Sequence, residues 1–298
     1  MTRYGNTRKS LKDEKLAPRK QLGQNFLVHK STAEAVARCG KIQSDDIIIE
    51  VGVGLGALTQ PIAEQAERVI GLELDSGLVR FHKEKKDLPD NVTLLHQDVL
   101  KADFDELYRL SGGPLKIMAN LPYSISNPFL FKLIEHQEKM NWATIMLQKE
   151  VADRLSAEPG TKQYGIPTVL LKSCATVKKL LTLKPTEFHP RPKIDSVVVR
   201  IEFTRIDQED KRVYDRSLFQ KIVRAAFSQR RKTLLNTLTA SGFFRARADG
   251  DKKLEKQLTR EAIIAGDITP GTRAEVLDLD NFIDLTLAFS SRLATISA

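Results

Sequence analysis

Cysteine is scarce, with Cys39 and Cys174 the only two in 298 residues. Such a pair gives no disulfide framework and no thiolate spacing for a metal, so both read as buried small residues of a reducing compartment. No apolar run approaches the roughly 20 residues that a bilayer-spanning helix needs. The basic N-terminus leads into no apolar segment, which argues against a secretory signal. A cytoplasmic protein is expected, with no membrane association and no metal.

Acidic residues are also in deficit. There are 38 Asp and Glu against 47 Lys and Arg, for a net charge of +9. That balance points to an anionic partner, nucleic acid first and a membrane surface second. The length suits one large α/β domain with a smaller companion, and 41% hydrophobic residues allow a sizeable core.

The pattern implies three regions. Residues 1–20 carry seven Lys or Arg against two acids and read as a basic arm. Residues 21–208 alternate strands and helices, and 209–298 hold no convincing strand. Within the middle region, Gln21-Leu22-Gly23-Gln24-Asn25-Phe26-Leu27 precedes a helix in which Ser31 and Glu34 have capping-box spacing. Asp46–Val51 is a strand with β-branched residues on both faces, as in a central parallel strand. It runs into Gly52-Val53-Gly54-Leu55-Gly56 and an expected helix over Ala57–Glu67. Closely spaced glycines let a ligand approach the backbone. The next two strands end at Glu73 and at Gln97-Asp98. Acids at successive strand ends mark a nucleotide-type crevice.

Two ligands satisfy that half of the chain. Gly52-x-Gly54-x-x-Ala57, with Glu73 about twenty residues on, meets the dinucleotide fingerprint and would suit an NAD-dependent oxidoreductase. S-adenosylmethionine needs the same glycine turn and ribose carboxylate, but it is cationic. Glu50 and Asp98 suit a positive ligand better than a diphosphate.

Leu115–Ala119 reads as a buried strand that Pro122 must end, leaving Asn120-Leu121-Pro122-Tyr123 at its tip. An Asn side-chain oxygen and a nearby carbonyl can both accept hydrogen bonds from one NH2 group, and a Tyr ring can stack on the base carrying it. The exocyclic amine of adenine is a poor nucleophile because its lone pair is delocalised. Acceptors that hold its hydrogens out of the ring plane free that lone pair without a strong base. Asn127 is expected to cap the following helix, with Pro128 at its first position. Further on, Pro185-Thr-Glu-Phe188-His-Pro-Arg-Pro192 makes a rigid loop. Phe188 there is either a second stacking face or a core anchor. His189, beside Pro190, reads as structural.

The C-terminal region opens with one expected helix carrying Arg224, Phe227, Arg230, Arg231, Lys232, Leu234, Leu235 and Leu238. Five basic residues and no acid between Lys221 and Lys232 point to phosphate contacts by Arg224, Arg230, Arg231 and Lys232. Asp267–Leu277 reads as a turn and a capped helix.

In order along the chain, these segments resemble the small-subunit rRNA adenine N6,N6-dimethyltransferases, the kasugamycin-sensitivity methylase family. The pieces are Leu22–Leu27, Glu50–Gly54, Glu73-Leu-Asp75, Gln97-Asp98, Asn120–Tyr123, Gln148–Arg154, Phe188–Lys193 and Ala226–Asn236. The resemblance implies a Rossmann-like class I methyltransferase core, a seven-stranded and mostly parallel sheet, with a small all-helical C-terminal domain. It implies S-adenosylmethionine as methyl donor. Asn25 and Leu27 would fold over it, Gly52 would line its methionine, Glu73 its ribose and Asp98 its adenine amine. Asn120 would touch both donor and target. Within the Asn120-Leu121-Pro122-Tyr123 turn, Tyr123 would sandwich a flipped adenine against Phe188. The implied substrate is two adjacent adenosines in the 3′-terminal hairpin of small-subunit rRNA, within an immature 30S particle, for a monomeric enzyme. The competing functions are a resistance-type methylase of large-subunit RNA and an assembly factor with a vestigial core.

Overall fold

A computed structural model of the chain describes residues 23–204 and 213–294. The expected basic arm, Gln21, Leu22 and residues 205–212, across the expected domain boundary, lie outside the described residues. The described residues fall into two compact units, 23–153 with 175–204 and 154–174 with 213–294.

The first unit is built on a seven-stranded sheet. In chain order its elements are β1 (Phe26–Leu27), α1 (Lys30–Cys39), β2 (Ile47–Val51), α2 (Thr59–Ala63), β3 (Arg68–Glu73), α3 (Ser76–Lys85), β4 (Val92–His96), α4 (Phe104–Leu110), β5 (Leu115–Asn120), α5 (Ser126–Glu135) and β6 (Met140–Gln148). After β6 come α6 (Lys149–Leu155), where the units divide, and α7 (Ile166–Lys172) of the second unit. The first unit then resumes with β7 (Ala175–Leu183), β8 (Phe188–His189) and β9 (Ser196–Phe203). The sheet order is β4-β3-β2-β5-β6-β9-β7. β4, β3, β2, β5 and β6 run parallel, and β9 and β7 pair antiparallel beyond them. Ile48 and Ile49 are both fully buried, as a strand covered on both faces requires. The strand order reverses between β2 and β5, so the chain leaves their carboxyl ends in opposite directions and opens a crevice there.

Long-range pairing overrode several local signals. Leu27 and Phe26 of β1 pair antiparallel with Phe188 and His189 of β8 in a separate two-stranded ribbon. The helix expected over Ala57–Glu67 is confined to Thr59–Ala63. Its start is taken by the glycine turn, where Gly56 N–H donates to the Val53 carbonyl (2.9 Å), and the Glu67 N–H is drawn to Asp46 (3.0 Å). α1 begins at Lys30 with His29 at the cap position and no side-chain cap bond, so Ser31 caps nothing, and Glu34 instead pairs with Lys30 (3.6 Å). α5 grows directly out of a 3-10 turn over Tyr123–Ile125, which leaves Asn127 inside the helix and not at its cap.

The second unit is all helical among its described residues: α7, α8 (Arg216–Ala226), α9 (Leu234–Ala240), α10 (Lys252–Ala265) and α11 (Leu279–Ala294). The segment 154–174, expected within the methyltransferase domain, belongs here, where α7 packs on α8 and Tyr164 donates to the Leu277 carbonyl (2.7 Å). The single basic helix expected after residue 215 is two helices. Leu234 N–H donates to the Thr272 carbonyl (2.8 Å) and Leu235 N–H to Pro270 (3.2 Å). These loop carbonyls satisfy amides that a new helix start leaves free, so the chain can turn at Phe227 without glycine or proline. The helix expected within Asp267–Leu277 is only a 3-10 turn over Ala274–Val276. The true helix, α11, follows it, and Asp278 and Asn281 exchange side-chain-to-backbone bonds at its start. Cys174 is buried as expected, whereas Cys39 is only half-buried.

Candidate active site

A single cavity of the first unit collects the carboxyl ends of β2, β3, β4 and β5. Its polar lining comes from Gln24, Asn25, Glu73, Gln97, Asp98 and Asn120, and its apolar walls from Phe26, Val53, Leu55, Leu74, Val99 and Ile125. Of the residues expected at the cofactor, Asn25, Leu27, Gly52, Glu73, Asp98 and Asn120 all line it. Leu121 and Pro122 line it as well.

The glycine turn brings backbone to the cavity floor. Gly52 has φ +81°, and a Cβ there would stand 3.2 Å from the Asn120 carbonyl oxygen. Gly54 has φ +60°, and a Cβ there would press on the Phe26 ring at 3.1 Å. Both the left-handed backbone and the close approach demand glycine. The turn is held from two sides. Gly54 N–H donates to Glu73 Oε2 (2.9 Å), and the Gly54 carbonyl faces Nε2 of the buried His82 (2.9 Å), whose Nδ1 lies 2.8 Å from Asp87.

Glu73 is nearly buried, and its second oxygen accepts from the Asp75 N–H (2.8 Å). Each carboxylate oxygen keeps a further lone pair as an acceptor. Burial raises its pKa above the usual carboxylate range, opposed by those two amides. Asp98 accepts from the Leu100 N–H (2.9 Å) and stays half-buried at the rim.

Behind the turn lies an unusual acid. Glu50 is completely buried, and neither of its oxygens has a hydrogen-bond partner of good geometry. Burial pushes its pKa up to about 8; the nearby Thr59 hydroxyl opposes this and the Glu73 charge adds to it. Glu50 does not itself line the cavity, though Val51 and Gly52 beside it do.

The Asn120 side chain is oriented by the chain that closes the cavity. Its Nδ2 donates to the Asn25 backbone carbonyl (3.0 Å). A carbonyl can only accept, so the amide is fixed with Oδ1 left as the acceptor. Asn25 in turn donates through Nδ2 to the Gly23 carbonyl (3.1 Å), and Gln24 Nε2 to Asp75 (3.2 Å). The β1–β8 ribbon, together with Val28 N–H to the Glu187 carbonyl (3.0 Å), anchors this closing segment.

Tyr123 is half-buried and its hydroxyl meets Ser196 Oγ at 2.7 Å, with burial raising its pKa. Phe188 departs from its expected place. It is 1% exposed and packs among Leu27, Ala33, Val36 and Trp142, so the structure resolves the alternatives in favour of the core anchor. In the ribbon it stands opposite Leu27.

The four basic residues expected on phosphates belong to the second unit. Arg224 is exposed on α8, and Arg231 and Lys232 are exposed in the turn before α9. Arg230 is held within its own unit by Glu275 (3.1 Å) and the Thr161 carbonyl (3.3 Å). Sequence reasoning missed His82 and Ser196, because neither lies in a recognisable motif and each acts through a partner distant in sequence. Among the described residues no group of three His, Cys, Asp or Glu gathers as a metal site would need, and no helix is long and apolar enough to cross a membrane.

A glycine turn after the first parallel strand, an acid at each of the next two strand ends and an apolar wall between them fit S-adenosylmethionine. With Glu73 and Asp98 on the lining and Glu50 buried behind the turn, the site suits this cationic ligand better than the diphosphate of a dinucleotide. Fold and site together define a Rossmann-like methyltransferase dependent on S-adenosylmethionine. More narrowly, the chain belongs to the ribosomal RNA adenine dimethylase family, which it matches over residues 16–263. It is 55% identical over 293 residues to the ribosomal RNA small subunit methyltransferase A of Desulfotalea psychrophila, covering 98% of both chains. The protein of that name from Geobacter metallireducens is 39% identical over 280 residues, 93% of this chain and 98% of its own. Among solved structures, a dimethyladenosine transferase from Plasmodium falciparum superposes with a TM-score of 0.74 at 26% identity, covering 90% of this chain and 98% of that one. The 23S rRNA methyltransferase ErmE shares the fold, with a TM-score of 0.60 at 19% identity over 89% of this chain and 99% of its own.

Proposed function

We propose that this protein transfers methyl groups from S-adenosylmethionine to N6 of two adjacent adenosines in the 3′-terminal hairpin loop of small-subunit rRNA. The product is dimethyladenosine, made on an immature 30S particle in the cytoplasm by a monomeric enzyme that needs no metal. The names of its relatives favour this substrate. The observation that carries the chemistry is the Asn120 amide, whose donor is tied to Asn25 and whose acceptor is left for a target amine.

When bound, S-adenosylmethionine supplies an electrophilic methyl group on a sulfonium. Glu73 accepts from the ribose hydroxyls, Asp98 from the adenine amine, and Gly52 lets the methionine end lie on bare backbone. Phe26, Leu27 and Asn25 close over this ligand and exclude water. Asn120 Oδ1, with a carbonyl of the same turn, holds the N6 hydrogens out of the base plane. The lone pair then points along the line of displacement, so orientation supplies most of the acceleration and no strong base is needed. Tyr123 offers the stacking face, steadied by Ser196. The target base must leave its stack, at a cost of a few kcal/mol. Arg224, Arg231 and Lys232 reach phosphates, while Arg230 shapes the turn that presents them.

Mass spectrometry of rRNA from cells lacking the protein tests this reading. Dimethyladenosine should vanish from the 3′ end of small-subunit rRNA and return on complementation. Its persistence there, or loss confined to large-subunit rRNA, would reject the assignment.

A further inference from the structure

α10 separates its charges by sign. Its exposed positions hold Lys252, Lys253, Lys256 and Arg260, together with Leu254, Gln257 and Ile264. Of its two acids, Glu255 is buried at 7% exposure and lies 3.7 Å from the Arg245 guanidinium. The other, Glu261, is part-exposed, is paired with Arg292 at 2.7 Å and accepts from Gln257 (3.0 Å). Asp251, at the start of the helix, spends its carboxylate on the Lys253 and Leu254 amides. The opposite face, with Thr259, Ala262 and Ile263 buried, packs on α9 and α11.

A merely solvated helix surface intersperses both signs, because Glu and Lys three or four residues apart stabilise each other. Here that stabilisation is given up. Lys253, Lys256 and Arg260 are three and four residues apart, so they share one side of the helix over about 10 Å of its axis. They form a one-sided cationic row that repels itself unless a polyanion lies along it. The acid-free run over 221–232, in the same unit, is a separate stretch of sequence and does not include these residues.

We propose that the outer face of α10 is a second RNA-binding surface, with Lys253, Lys256 and Arg260 on backbone phosphates of the substrate rRNA. This rests on the rRNA reading above. Phosphate contacts position without reading bases. The row therefore sets affinity and orientation on the rRNA, and the first unit alone selects the adenosine.

The test is the salt dependence of binding to naked small-subunit rRNA, for the full chain and for a Lys253→Gln/Lys256→Gln/Arg260→Gln variant. Losing three phosphate contacts should reduce the slope of log K against log salt by about 2 to 3. KM for the immature particle should rise at moderate salt. A charge-preserving Lys253→Arg/Lys256→Arg/Arg260→Lys variant should keep the wild-type slope, and equal thermal midpoints for all three proteins exclude misfolding. An unchanged slope in the Gln variant overturns the proposal, even while the wild type methylates rRNA normally. Weakened binding to the assembled particle with an unchanged slope on naked rRNA overturns it too, by assigning the face to a protein partner. The slope reports binding alone, so a wild type that binds with the expected slope but methylates nothing sinks the rRNA reading and leaves this surface standing.

Discussion

Asn120→Ala should reduce methyl transfer by about 10²-fold or more while leaving rRNA affinity unchanged. The residue sits where β5 ends, and Pro122 allows no continuation of the strand. Its amide nitrogen is committed to Asn25, so the side chain cannot rotate to present a donor in place of the acceptor. Alanine removes the acceptor and the tie that steadies the closing segment. Asn120→Asp keeps an oxygen but loses the donor to the Asn25 carbonyl, and two acceptors would then face each other. It too should be severely impaired. Single-turnover transfer from labelled S-adenosylmethionine, beside rRNA binding by the same samples, separates chemistry from recognition. Full turnover by Asn120→Ala would remove this turn from the reaction.

Glu50→Gln should invert the usual cost of a buried substitution. In the folded chain Glu50 holds its proton up to about pH 8, whereas the unfolded value is near 4.5. Between those values the native state binds the extra proton, so stability falls as pH rises. The contribution is intact below the unfolded pKa and fully lost above about pH 8. Over such a gap the loss amounts to a few kcal/mol, at about 1.4 kcal/mol per pKa unit. Glutamine carries no charge, so the ligand-free variant should match the wild type near pH 5 and exceed it near pH 9. The same buried carboxylate favours a cationic ligand, and the variant should bind S-adenosylmethionine more weakly at pH 8. Denaturant unfolding from pH 5 to 9, with and without S-adenosylmethionine, measures both effects. Parallel pH curves for the two proteins would contradict this account of Glu50.

The parts of the site that sequence revealed share one property: they are strand ends. An apolar run that stops at glycine, at an acid or at Asn-x-Pro announces both a buried strand and a polar tip, and this placed Gly52, Glu73, Asp98 and Asn120 on one crevice. What stayed hidden depends on contacts distant in sequence. The β1–β8 ribbon has two residues per strand, too few for any periodicity, yet it holds Phe188, which is buried in the core. The break at Phe227 has no glycine or proline to signal it, because the carbonyls that permit it come from residues 270 and 272. Segment 154–174 falls in sequence between strands of the core, and contacts distant in sequence, α7 on α8 and Tyr164 to the Leu277 carbonyl, assign it to the helical unit. Ser31 and Asn127 had good cap chemistry but sat one residue inside helices whose starts are set elsewhere.

The most direct measurement of the central claim is a methylation assay with purified protein, labelled S-adenosylmethionine, and small and large ribosomal subunits from cells lacking the enzyme, run side by side. Label should enter small-subunit rRNA alone and digest to N6,N6-dimethyladenosine. Label in the large subunit alone, or on any atom other than an adenine N6, would contradict a crevice built to present that amine to a sulfonium methyl.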